Sequence, residues 1–185
     1  FSDHADTTRQ CRFIARYRWL IKKLDIVDAA FDPVNCAEYI KWRQSIGANS
    51  VTLVFPAAYL NSPSSMFGHT LLRFDPPAEQ QSSKWLSWAL NFGAEVDAND
   101  LSVFYAYKGI FGGYPGYFVM MPYYKKIQEY NRLENRDIWE YQLNLTPDEV
   151  DRLVDHVWAL NEIQFDYDFF DENCSFRLLE LLNVA

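Results

Sequence analysis

His69-Thr70-Leu71-Leu72-Arg73-Phe74-Asp75 reads as a β-strand that opens on a histidine, with Gly68 before it and Pro76-Pro77 after it. Working outward, Val51-Thr52-Leu53-Val54-Phe55 is β-branched and apolar up to Pro56, which makes it the preceding strand. Trp85 to Phe92 is the following one, reached through the turn-rich Pro76-Pro77 and Ser82-Ser83 segment. Strands joined by such a connection pair antiparallel. Tyr117 to Met121 and Ile138 to Leu143 read as further strands, with a helix from Tyr123 to Leu133 between them.

Helices flank this central region. Thr8 to Leu24 places Phe13, Tyr17, Leu20 and Leu24 at helical spacing. A second helix has Asp32 as its cap, Pro33 at its first position, Cys36 in its first turn and Gly47 at its exit. Thr146-Pro147-Asp148-Glu149 is a capping-box start for a helix to Leu160. A last helix follows Cys174, with Leu178, Leu179, Leu181 and Leu182 in its apolar run. It is expected to be still running where the chain stops at Ala185, as in a fragment. Strands in the middle with helices on either side predict an α+β domain. Two parts are expected: a helical hairpin over 1–48, packed on a main domain over 49–185.

The 185 residues suffice for one well-packed domain, and 49% hydrophobic with 17% aromatic residues gives ample core material. A net charge of −8 without a dense Lys/Arg cluster argues against a nucleic-acid partner. No apolar run approaches the ~18 residues that span a bilayer. No cofactor or metal is expected: there is no His-x-x-x-His or Cys-x-x-Cys spacing, and no Gly-Lys-Ser/Thr phosphate loop. Gly109, Gly112, Gly113 and Gly116 share a short stretch with Tyr105, Tyr107, Phe111, Tyr114, Tyr117 and Phe118. This loop is either a tight structural turn or the wall of an apolar cleft or lipid contact.

Three cysteines leave at least one unpaired. Cys11 and Cys36 are close enough in sequence to staple the two-helix hairpin, which would place the chain in an oxidising compartment and leave Cys174 free. The alternative is three buried, inert thiols.

Cys174 lies in Asp171-Glu172-Asn173-Cys174-Ser175-Phe176, at the first turn of its helix, where unpaired N–H groups and the macrodipole favour a thiolate. Attack on an acyl carbonyl requires that thiolate, a base, and donors for the oxyanion. Of three histidines, His4 is near the terminus and His156 lies within the Thr146 helix, which leaves His69 as the base. Asn91, an amide in the apolar strand Trp88-Ala89-Leu90-Asn91-Phe92, either orients the His69 ring or bonds backbone at its strand end. Asp166, Asp168, Asp171 and Glu172 crowd the approach to Cys174, and negative charge would raise the thiol pKa. As a glycosidase pair or Ca²⁺ site this cluster is a poorer fit, because it lacks the spaced loop of an EF-hand.

Longer motifs sharpen the reading. Asn61-Ser62-Pro63-Ser64-Ser65-Met66-Phe67-Gly68-His69-Thr70-Leu71-Leu72-Arg73 closely resembles the motif of the Lnb-type N-terminal periplasmic domain family. So do Lys108-Gly109-Ile110-Phe111-Gly112-Gly113-Tyr114-Pro115-Gly116, Glu134-Asn135-Arg136-Asp137-Ile138-Trp139-Glu140-Tyr141 and Phe170-Asp171-Glu172-Asn173-Cys174-Ser175. The resemblance spans Ser50 to Ala185.

That family is similar to a permuted form of the papain-like NlpC-type peptidases and the lecithin:retinol acyltransferase group, in which histidine precedes cysteine. The resemblance implies a permuted papain-like antiparallel sheet with packed helices, a bacterial periplasmic location, Cys174 as nucleophile and His69 as base. Its named member is a lipoprotein N-acyltransferase. The implied activity is acyl transfer through a Cys-His acyl-enzyme, with phospholipid as donor, a lipoprotein N-terminal amine as acceptor, and the membrane surface as a contact. The alternatives are an NlpC-type peptidoglycan-peptide amidase or peptidase, and a non-catalytic envelope binding module.

Overall fold

The computed structural model describes residues 9–26, 34–57, 69–79, 84–95, 107–109, 112–129 and 137–185. Thr8, His4, Asp32, Pro33, the motif residues 61–68, Ser82-Ser83, Tyr105, Ile110-Phe111, Leu133 and Glu134 to Arg136 lie outside them.

Six strands form one antiparallel sheet: β1 (Ser50–Pro56), β2 (Leu71–Asp75), β3 (Trp88–Ala94), β4 (Tyr114–Pro122), β5 (Ile138–Gln142) and β6 (Phe165–Tyr167). The spatial order is β5-β1-β2-β3-β4-β6. Leu71 lies opposite Asn91 in the β2–β3 register, and Asn91 opposite Val119 in β3–β4. The helices are α1 (Arg9–Arg12), α2 (Ile14–Leu24), α3 (Ala37–Ile46), α4 (Tyr123–Gln128), α5 (Pro147–Ala159) and α6 (Cys174–Leu182). The chain is therefore an α+β fold with the expected antiparallel sheet.

Alternation along β2 sorts its side chains between two cores. Leu72 and Phe74 join Leu90 and Phe92 of β3, Leu153 and Val157 of α5, and Cys174 and Leu178 of α6 in the larger core. Leu71 joins Val54, Ala89, Tyr123 and Ile127 in a smaller core under α4. β2 is buried on both faces because helices cover both.

Several boundaries move for local reasons. Trp85 lies in a 3₁₀ turn, Lys84–Leu86, and β3 begins only at Trp88. The Ser87 N–H bonds back to Lys84, and its carbonyl accepts from Tyr123 at the start of α4. The second helix begins at Ala37, so Cys36 is its N-cap rather than part of its first turn; its disulfide to Cys11 fixes it there in a non-helical conformation. A turn at Phe13 interrupts the first helix, although Phe13 accepts from Tyr17 and donates to Arg9 across the break. α6 stops at Leu182 instead of running on to Ala185. β6, too short to read in the sequence, pairs with the first residues of β4. The Thr146 capping box forms in full.

The hairpin is stapled by Cys11–Cys36 and seated on α5. The Trp158 indole donates to the Cys11 carbonyl at 2.8 Å, and the buried Asp155 carboxylate receives Arg18 and Arg43, each at 2.7 Å, together with the Tyr39 hydroxyl.

Candidate active site

Cys174 is the first residue of α6, and Asn173 caps that helix by accepting from the Ser175 and Phe176 N–H groups at 3.0 and 3.2 Å. The cap uses two of the orphan donors of the first turn, and Cys174 stands at that same terminus, where a main-chain N–H can serve an oxyanion. Asn173 is itself held, donating from Nδ2 to the Phe169 carbonyl at 3.1 Å. Phe169 in turn donates its N–H to the Gly109 carbonyl at 2.8 Å. A Cβ on Gly109 would meet the Phe169 ring at 2.4 Å, so this glycine is required for close approach. The glycine-rich stretch thus seats the turn that delivers the thiol, and Gly116 lies within β4 against the Phe92 ring.

His69 stands just ahead of β2. Nε2–H donates to Asn91 Oδ1 at 2.5 Å, and the imidazole lies near enough to the Cys174 thiol to lower its pKa. The structure therefore brings Cys174, His69 and Asn91 together; of the two readings open for Asn91, the bond to the imidazole is the one it makes. His156 sits in α5 beside Asp155.

Thr70 is a site residue that the sequence reading did not single out. Its hydroxyl lies 3.6 Å from Cys174 Sγ and 2.9 Å from Ser175 Oγ, so a Ser175–Thr70–Cys174 hydroxyl chain supports the sulfur. Strand alternation held the signal: Thr70 shares a face with Leu72 and Phe74, the face α6 covers.

Cys174 is the free cysteine of the three and is 6% exposed. Burial pushes its pKa up, but the hydrogen bond and charge of His69, followed by hydrogen bonds from Thr70, outweigh it and bring the thiol down to about 6. The four acidic residues are occupied elsewhere. Asp168 Oδ1 accepts the N–H groups of Phe170, Asp171 and Glu172, and Glu172 pairs with Arg177. Asp166 and Asp171 are exposed to solvent, where their charge is screened.

Such a constellation can deprotonate a thiol, orient the imidazole and present a main-chain donor at a helix terminus, the parts required for acyl transfer through sulfur. Among the described residues, no group of three or more His, Cys, Asp or Glu side chains is placed to hold a metal ion, and no helix is long and apolar enough to cross a membrane. The family described as the Lnb N-terminal periplasmic domain matches the chain over residues 38–185. No curated protein and no solved structure matches it.

Proposed function

We propose, for a chain that belongs to the Lnb N-terminal periplasmic domain family and so resides in the periplasm, that it is a thiol acyltransferase. The observation that carries the reading is the free Cys174 thiol at the start of α6, against the Thr70 hydroxyl and beside a His69 imidazole that Asn91 orients.

The thiolate Sγ attacks the carbonyl carbon of a phospholipid ester, and the oxyanion forms against the Cys174 N–H. Collapse of this adduct breaks the ester C–O bond. The His69 imidazolium gives its proton to the departing alkoxide, leaving a Cys174 thioester and a lysophospholipid. A primary amine, that of a lipoprotein N-terminus, then attacks the thioester and surrenders a proton to His69. The new amide bond forms as the Cys174 thiolate leaves. Permuted papain-like topology fits this reading, since the histidine strand precedes the cysteine helix in the chain.

The test is mass spectrometry of the protein after incubation with phospholipid. A Cys174 thioester is expected, and Cys174→Ala should abolish it; an adduct retained in that variant contradicts the proposal. Muropeptides supplied in parallel separate the amidase alternative, because cleaved peptides without acylated amine would favour it.

A further inference from the structure

Thr70 reaches the sulfur from the strand side of the site. Its hydroxyl lies 3.6 Å from Cys174 Sγ and 2.9 Å from Ser175 Oγ. Thr70 is 9% exposed whereas Ser175 is open to solvent, so two hydroxyls run in line from water to a buried thiol. A β-branched side chain suits the extended backbone beside Leu72 and Phe74, and valine would fill the same space. What valine lacks is the hydroxyl, which would be costly to bury without the two partners it has here. Ionisable groups come to this end of α6 from His69, ahead of β2, and from Asp168 and Glu172, which main-chain N–H groups and Arg177 engage. Asn91 of β3 is uncharged and bonds the imidazole.

A hydroxyl carries one proton. A thiolate can only accept, so Thr70 donates to it, and Ser175 must then fill the 2.9 Å contact by donating to Thr70. A protonated or acylated sulfur is a weak acceptor, and the Thr70 proton turns to Ser175 instead. We propose that Thr70 is a catalytic residue of this site, a hydroxyl donor that follows the sulfur: it holds the thiolate before attack, releases it in the thioester, and receives the departing thiolate again. Its part in the second half of the cycle rests on the transferase reading. There the amine bonds to the carbonyl carbon, and the C–S bond breaks with its electron pair left on Sγ. The Thr70 O–H returns to that pair while keeping its own proton, and His69 takes the proton of the amine. Two neighbours in the chain thus do different things: His69 moves protons, and Thr70 holds charge. Such a donor acts oppositely on two steps. A better-held thiolate is more abundant at low pH and a better leaving group, but a weaker nucleophile.

The experiment compares the full chain with Thr70→Val, Thr70→Ser and Ser175→Ala by iodoacetamide alkylation of Cys174 against pH. Thr70→Val should raise the midpoint by about one pH unit, the effect of one hydrogen bond to a charged group. Its limiting rate at high pH should rise about threefold, because the less-held thiolate is more nucleophilic. Thr70→Ser should restore the native profile, and Ser175→Ala, a change at an exposed position, should raise the midpoint by less. In a His69→Ala background Thr70→Val should raise the midpoint again, since it acts on the sulfur and not through the imidazole. Thioester preformed from phosphatidylglycerol vesicles and then mixed with glycinamide should be released roughly three- to tenfold more slowly in Thr70→Val. An unmoved midpoint, a limiting rate that falls, a Thr70→Ser variant that behaves like Thr70→Val, or unslowed release would overturn the inference. Should the native chain form no thioester, the transferase reading falls, and the alkylation profiles still decide the role of Thr70.

Discussion

At one end of β2, Arg73 and Asp75 form a buried ionic lock; at the other, His69 and Thr70 face a buried thiol. The lock is densely paired. Asp75 takes the Arg73 guanidinium at 2.7 Å, Thr52 at 2.8 Å and Ser87 at 3.0 Å. Arg73 Nη1 also faces Glu140 at 2.8 Å as an ion pair, and Glu140 accepts from Tyr123 and Lys84. Burial works against the charge on Arg73, but Asp75 and Glu140 hold its pKa above the ordinary value. Burial likewise opposes ionised Glu140, yet Arg73, Tyr123 and Lys84 keep its pKa below the usual carboxylate range. The thiol end balances differently. One imidazole and two hydroxyls support Cys174, so its proton is poised to leave near pH 6 instead of being fixed far from neutrality. Burial is common to both ends. What differs is whether each charge is cancelled permanently or left available for exchange.

The contrast is broken most sharply by variants that separate activity from stability. Cys174→Ala should eliminate thioester formation, and at pH 5, where the thiol is protonated both folded and unfolded, it should shift the urea midpoint little, since the change removes one sulfur from the core. His69→Ala should slow acyl transfer by roughly 10²–10⁴-fold, the usual contribution of a positioned acid–base group, measured as single-turnover thioester formation. Arg73→Met acts the opposite way: it leaves Asp75 buried without its cation and should cost about 3–5 kcal/mol in urea unfolding. Asn91→Ala should lower the transfer rate about ten- to a hundredfold through a misaligned imidazole, with thiol alkylation at saturating pH nearly unchanged.

The pH dependence follows from the same difference. Folding lowers the thiol pKa from 9.0 to about 6, so between these values the unfolded chain binds more protons and stability rises with pH. The thiolate's contribution is complete above about pH 9 and is lost as pH falls toward 6. Urea midpoints of the native chain and Cys174→Ala should therefore diverge as pH rises through this window.

Much of this was written in local sequence. β1, β2, β4 and β5 announce themselves through β-branched and apolar runs, and the Thr146 box gives the start of α5 because its hydrogen bonds close within four residues. The Cys174 helix start was equally plain, whereas the strand expected to open on His69 begins only at Leu71 and leaves His69 just ahead of it. What escaped depends on distant partners. β6 is three residues long and exists through its pairing with β4. Trp85 was placed in β3 on composition, but contacts with α4 turn that segment into a 3₁₀ turn. Thr70 looked like one more strand residue until α6 came to lie over it. The acidic approach to Cys174 seemed hostile because sequence proximity cannot show that Asp168 turns to the backbone and Glu172 to Arg177.

The central claim, that His69 activates Cys174, is tested most directly by the rate of Cys174 alkylation with iodoacetamide as a function of pH, in the native chain and in His69→Ala. The native profile should reach half its maximum near pH 6, and His69→Ala should move the midpoint above the ordinary thiol value of ~8.5. A thiol that stays inert below that value in the native chain, or a midpoint that His69→Ala leaves in place, would contradict it.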